Sequence, residues 1–214
     1  MFITLEGPEG SGKSSQLPVL AEWLREQGYC VFTTREPGGT QISDQIRTVL
    51  HALENTAMHP RTEILLYLAS RSQHVEEVIL PNLKQGNIVL CDRYADSTLA
   101  YQGYGHAVDL DTLKKLNDFS TGGLYPDLTI LLDLDVEIGL QRRKHSGGEW
   151  NRLDDYALAF HKRVREGYLS LLAQEPQRWR IVDADQPFDA VHKDLRKVVE
   201  AELVKIKNEG FKER

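Results

Sequence analysis

The chain has 214 residues, enough for one α/β domain with a full hydrophobic core. Apolar residues make up 41%, charged residues 27%, and the formal net charge is −6, which excludes a broad basic face for a nucleic-acid polymer. No apolar run approaches the roughly 18 residues of a membrane span. Glu6, Glu9 and a glycine loop stand where a secretory leader would lie, so a cytoplasmic protein is expected.

In chain order, Phe2–Leu5 reads as a strand. Gly7 to Ser14 follows as Gly-Pro-Glu-Gly-Ser-Gly-Lys-Ser, a complete G-x-x-x-x-G-K-[ST] phosphate loop. Gln16 to Glu26 is then helical, with Leu17, Leu20, Ala21 and Leu24 at helical spacing. Strand, glycine loop and helix together make the pattern a nucleoside-triphosphate site. The glycines let successive N–H groups face one anion, and the helix adds its positive end. Lys13 is placed for the β- and γ-phosphates, and Ser14 for Mg²⁺.

Further strands are expected at Cys30–Thr34, Ile88–Cys91, Leu128–Leu134 and Arg180–Val182. Apolar helical faces are expected at Ile42, Ile46, Val49, Leu50 and Leu53, and along Ile64, Leu65, Leu68, Ala69, Val75, Val78 and Ile79. Others fall at Leu110, Leu113, Leu116 and Phe119, over Leu158 to Leu172, and along Val191, Leu195, Val198, Val199 and Leu203. Short apolar strands alternating with helices predict a five-stranded parallel sheet flanked by helices, and the glycine loop makes it a P-loop NTPase type. The single domain is expected over residues 1–207, with a lid at about 142–155 and a charged tail at 208–214.

Ligands of open parallel sheets bind beyond the carboxyl ends of the strands. Arg35 to Thr40, Asp92 to Tyr94, Ser146 to Asn151 and Asp183 to Pro187 are therefore expected to cluster near the phosphate loop. Asp92 ends an apolar strand, where an acid would hold Mg²⁺ or its water; Asp133 is the rival, and a helix cap or turn the plainer role. Arg142, Arg143 and Lys144 end a helix, and Arg152 follows the Gly147-Gly148 pair. These arginines suit a lid that closes over ATP, or equally a solvated basic helix end. Seven histidines show no metal-ligand spacing, so each is expected at the surface. Cys30 and Cys91 are expected as small buried hydrophobes of a protein in a reducing compartment.

Several ordered motifs together resemble the bacterial thymidylate kinases. They are Glu6 to Ser14, Thr34-Arg35-Glu36-Pro37-Gly38-Gly39-Thr40, Ala69-Ser70-Arg71, Asp92-Arg93-Tyr94-Ala95-Asp96-Ser97, Ala100-Tyr101-Gln102-Gly103 and Tyr125-Pro126-Asp127-Leu128-Thr129. The resemblance implies the nucleoside monophosphate kinase type of this P-loop fold, and transfer of the γ-phosphate of ATP to dTMP, with Mg²⁺, in a homodimer. It implies that Arg71 donates to thymine O4 and that Tyr67, where the family usually has Phe, stacks on the base. It implies further dTMP contacts from Glu36, Ser97, Thr98, Tyr101 and Gln102, with Tyr101 selecting deoxyribose. Arg93 and Arg47 would hold the dTMP phosphate, and Glu9 would approach the 3′-OH. The loop positions Pro8, Glu9, Gly10 and Ser11 carry no base, which resembles the type whose lid supplies the catalytic arginines: Arg142, Arg143 and Arg152. No general base is required, because the acceptor phosphate oxygen is already ionised. Another small-molecule kinase of this fold is the second reading, and a nucleotide-dependent switch the third. The switch strings N-K-x-D and D-x-x-G do not occur.

Overall fold

The computed structural model describes residues 1–145, 152–154 and 156–209. Five parallel strands form one sheet: β1 (Phe2–Glu6), β2 (Val31–Arg35), β3 (Ile88–Asp92), β4 (Leu128–Asp133) and β5 (Trp179–Asp183), in the order β2-β3-β1-β4-β5. The three central strands are apolar runs buried on both faces, as a covered parallel sheet requires. The edge strands are partly exposed, with Phe32 and Ile181 reaching solvent. β1 lies between β3 and β4, and the chain leaves it first towards one edge and later towards the other. A crevice therefore opens at its carboxyl end, where the phosphate loop sits.

Helix α1 (Lys13–Glu26) begins directly on the loop, three residues before the predicted start at Gln16. Its apolar side packs with α9 (Phe188–Glu209) against one face of the sheet. Helix α2 (Gln41–His51) is capped by Thr40, whose hydroxyl accepts from Ser43 N at 3.0 Å. Helix α3 (Pro60–His74) continues through a π-helical turn, Val75–Ile79, into α4 (Leu80–Lys84). After β3, α5 (Ala95–Thr98) widens into a second π-helical segment, Leu99–Gly105, followed by α6 (Leu110–Thr121). Helices α7 (Val136–His145) and α8 (Leu158–Gln174) lie between β4 and β5.

The differences from expectation have local causes. Of the predicted α2 core face, Leu50 is buried, but Ile42, Val49 and Leu53 are exposed. Ile42 and Val49 are seven apart and share one exposed helix face. Leu65 and Phe119 are likewise exposed, Phe119 at 87%. Cys30 precedes β2 and is exposed, whereas Cys91 is buried as expected. His74 and His161 are buried, not superficial. Helix α9 continues to Glu209, into the charged tail expected at 208–214. The loop expected at residues 146–151 and the remainder of that tail, residues 210–214, lie outside the described residues.

Candidate active site

The phosphate loop is shaped by backbone conformations that side chains resist. Gly10 and Gly12 have φ of 72° and 90°. A Cβ on Gly10 would stand 2.0 Å from the Gly139 carbonyl oxygen, so loop and α7 meet backbone to backbone. Gly12 caps α1 without a side-chain acceptor. The first-turn N–H groups are left without a side-chain cap, on the positive end of the helix. Lys13 folds over the loop, its Nζ donating to the Gly7 and Pro8 carbonyls at 3.0 and 2.9 Å and to Ser11 Oγ at 3.1 Å. Burial, aided by the Arg93 charge, lowers the Lys13 pKa to about 8. The lysine is thus poorly compensated and well suited to an arriving polyphosphate.

Ser14 Oγ donates to Asp92 Oδ2 at 2.5 Å, so two hard oxygen donors stand side by side below the loop. This pair fits Mg²⁺, which takes one or two protein oxygens and completes its shell with phosphate and water. Asp133 is engaged elsewhere: Arg165 binds both its oxygens at 2.8 Å. Among the described residues no cluster of three or more His, Cys, Asp or Glu could hold a metal alone.

Beside the loop, Arg93 is the hub of a buried polar network. Its Nη1 donates to the Gly7 carbonyl at 3.1 Å and Tyr168 Oη at 3.0 Å. Its Nη2 donates to Glu9 Oε1 at 2.8 Å and Tyr101 Oη at 2.9 Å. The Arg93 backbone has φ 69°, a strained left-handed conformation that turns the side chain back towards the loop. Burial alone would raise the Glu9 pKa, but the Arg93 and Lys13 charges and the Tyr101 hydroxyl outweigh it and hold it at about 2. Behind Arg93, Glu6 is fully buried and accepts from Tyr94 N, Ser97 Oγ and Tyr168 Oη at 2.7, 2.6 and 2.9 Å. Burial and the nearby Asp96 charge raise the Glu6 pKa to about 7.

A third cluster closes the inner end. Arg71, 2% exposed, donates to Glu36 Oε2, Thr98 Oγ1, Asn117 Oδ1 and the Tyr94 carbonyl at 2.8 to 3.1 Å. Four of its five N–H donors are thereby committed, leaving one on Nη2. Glu36 Oε1 meets His74 Nδ1 at 3.0 Å, and His74 Nε2 meets Thr34 Oγ1 at 2.6 Å. Tyr67, Arg71, Thr98 and Gln102 line this end. At the outer end, Arg142 binds the Ala184 carbonyl at 2.8 Å and Asp185 at 3.0 Å, and Arg143 binds Asp154.

The three clusters and the outer end open into one cavity of about 590 Å³. The structure brings together there Glu9 to Ser14, Glu36, Arg47, Tyr67, Arg71, Asp92, Arg93, Ser97, Thr98, Tyr101, Gln102, Arg142 and Arg143. Three of the four loops expected at this edge contribute; the fourth lies outside the described residues. Gly7 and Pro8 face Lys13 and Arg93 through their carbonyls. Arg152 is the exception. It is buried against Glu63, Tyr156 and the Leu50 carbonyl and does not line the cavity. Sequence reasoning missed His51, Glu63, His74 and Tyr168. His51 lines the cavity, and burial together with the Arg47 charge lowers its pKa to about 4.

A phosphate loop on a parallel sheet, facing a second pocket that holds an arginine for another anion, defines a P-loop phosphotransferase with a phosphorylated small-molecule acceptor. A family model described as Thymidylate kinase matches residues 5–195. A thymidylate kinase of Roseiflexus castenholzii is 51% identical over 96% of this chain and 95% of its own length. One of Herpetosiphon aurantiacus is 48% identical over 97% and 98%. A crystal structure of thymidylate kinase from Ehrlichia chaffeensis superposes with a TM-score of 0.77 at 34% identity, covering 93% of this chain and 98% of that one. The chain belongs to the thymidylate kinase family.

Proposed function

We propose that this chain transfers the γ-phosphoryl group of ATP to the phosphate of dTMP, giving dTDP and ADP, within the one cavity. The observation that carries this reading is that Arg93, bonded to Glu9 of the phosphate loop, lines the same cavity as the Arg71 cluster. Two anions bound at either side of Arg93 would be aligned for direct transfer. Lys13 and the first turn of α1 bind and neutralise the donor phosphates. Ser14 and Asp92 would hold Mg²⁺, which neutralises charge on the phosphate oxygens. Arg93, with Arg47 nearby, binds the acceptor phosphate. The acceptor oxygen is ionised at neutral pH, so no residue need remove a proton.

The remaining Arg71 donor suits thymine O4, and Tyr67 suits the face of the base. Arg142, held by the Ala184 carbonyl and Asp185 in the lining that also contains Gln186 and Phe188, suits the adenine end, and Arg143 the donor phosphates. Arg152 we assign to the Glu63 network rather than to the transferring group. A homodimer through the α2 and α3 side is supported by the exposed Ile42, Val49 and Leu65. Among the described residues no helix is long and apolar enough to cross a membrane, and the free Cys30 and Cys91 suit the reducing cytoplasm. The test is incubation with γ-labelled ATP and dTMP. Label recovered in dTDP supports the reading, and label released only as inorganic phosphate refutes it.

A further inference from the structure

We propose that Glu63 is a specificity-determining positioning residue. It holds the amide of Gln102 so that only the carbonyl oxygen faces the base and accepts from pyrimidine N3–H, a role that rests on dTMP being the acceptor. Glu63 lies on α3, its side chain 1% exposed. Its Oε1 accepts from Gln102 Nε2 at 2.7 Å. Its Oε2 accepts from Arg152 Nη2, and from the Tyr156 hydroxyl at 3.2 Å. His106 Nε2 stands 3.5 Å from Oε1.

A carboxylate beside a buried guanidinium is ionised and has no proton to give. It can only accept, so the NH₂ end of Gln102 must face it. The amide is planar, and turning one end to Glu63 turns Oε1 away. Gln102 lies in the π-helical segment and lines the cavity next to Thr98 and Arg71. No hydrogen bond to Gln102 Oε1 occurs among the described residues, so the acceptor remains for a ligand.

Thymine fits this pair of polar groups. Its O4 takes the remaining Arg71 donor, and its N3–H meets Gln102 Oε1. Cytosine would set an unprotonated N3 against Oε1 and an amino group against Arg71, two mismatches at once. Arg152 acts one step further out, keeping Glu63 ionised and in place.

Glu63→Gln tests this. Arg152 can only donate, so residue 63 would give it the carbonyl oxygen and turn its own NH₂ to Gln102. Gln102 would then present Oε1 to position 63 and its NH₂ to the base. The ratio of kcat/KM for dCMP to that for dTMP is expected to rise at least about tenfold. In a Gln102→Leu background the same substitution should leave the ratio unaltered, because Glu63 acts through Gln102. An unchanged ratio, or the same change in both backgrounds, overturns the proposal. Should circular dichroism show that Glu63→Gln does not fold, Glu63→Asp is assayed instead, whose carboxylate is one methylene too short to hold Gln102 Nε2 and Arg152 together. The dCMP to dTMP ratio of kcat/KM is expected to rise at least about threefold, and an unchanged ratio overturns the proposal. Failure to phosphorylate dTMP at all would refute the acceptor assignment itself, and this proposal with it.

Discussion

Replacing Arg93 by lysine keeps the positive charge and removes the fork. Arg93 reaches Gly7 and Tyr168 through Nη1 and Glu9 and Tyr101 through Nη2, all within 3.1 Å. One ammonium nitrogen can take only one of the two Nη positions, so a phosphate gripped by the fork loses one of its two charge-assisted bonds. A bond to a charged group contributes about 1.5–3 kcal/mol. That corresponds to a fall of about 10- to 10²-fold in kcat/KM for dTMP. A coupled assay of ADP release with varied dTMP measures it, with the melting temperature recorded alongside. A kcat/KM within about threefold of the unmodified chain would show that the Arg93 fork does not grip the acceptor phosphate.

Three other expectations follow from separate features. Glu6 has a folded-state pKa of about 7 against an ordinary 4.5, so the folded state binds its proton more tightly and gains on the order of 3 kcal/mol at low pH. That contribution is complete below about pH 4.5 and disappears as pH rises through about 7; urea titrations should show it in the unmodified chain and not in Glu6→Gln. Gly139→Ala would bring a Cβ to 2.2 Å from the Glu9 carbonyl oxygen, and the loop displacement should raise KM for ATP about tenfold, the equivalent of an overpacking cost of about 1–3 kcal/mol; an unaltered KM would show that α7 yields instead. Sedimentation should give a two-chain mass, and joint replacement of Ile42 and Val49 by Asp a folded one-chain mass; an unchanged mass would move the interface elsewhere.

The sheet was legible because each central strand is a continuous Val, Ile and Leu run between loops. The phosphate loop and the strand-end motifs were legible because glycine, acid and arginine stand at fixed offsets from those runs. The supporting residues were harder to read. Glu63 and His74 extend Tyr67 and Arg71 into a polar stripe at helical spacing along α3, a signal present in the sequence but hidden by the apolar residues between them. Tyr168 gave no signal, since α8 delivers it to Arg93 from 75 residues away. The π-helical segment Leu99–Gly105, which buries the adjacent Tyr101 and Gln102 together, follows no apolar period. Arg152 stands near a glycine pair in sequence, yet that spacing says nothing about which buried carboxylate it will meet. Exposed Ile42 and Val49 show the converse: apolar periodicity marks a face without stating what covers it.

The most direct measurement is the ratio of kcat/KM across dTMP, dCMP, dAMP and dGMP with ATP and Mg²⁺. dTMP is expected to exceed dCMP by at least about 10³-fold, because two hydrogen-bonding positions are mismatched for cytosine. Comparable turnover of dCMP, or a preference for a purine monophosphate, would contradict it.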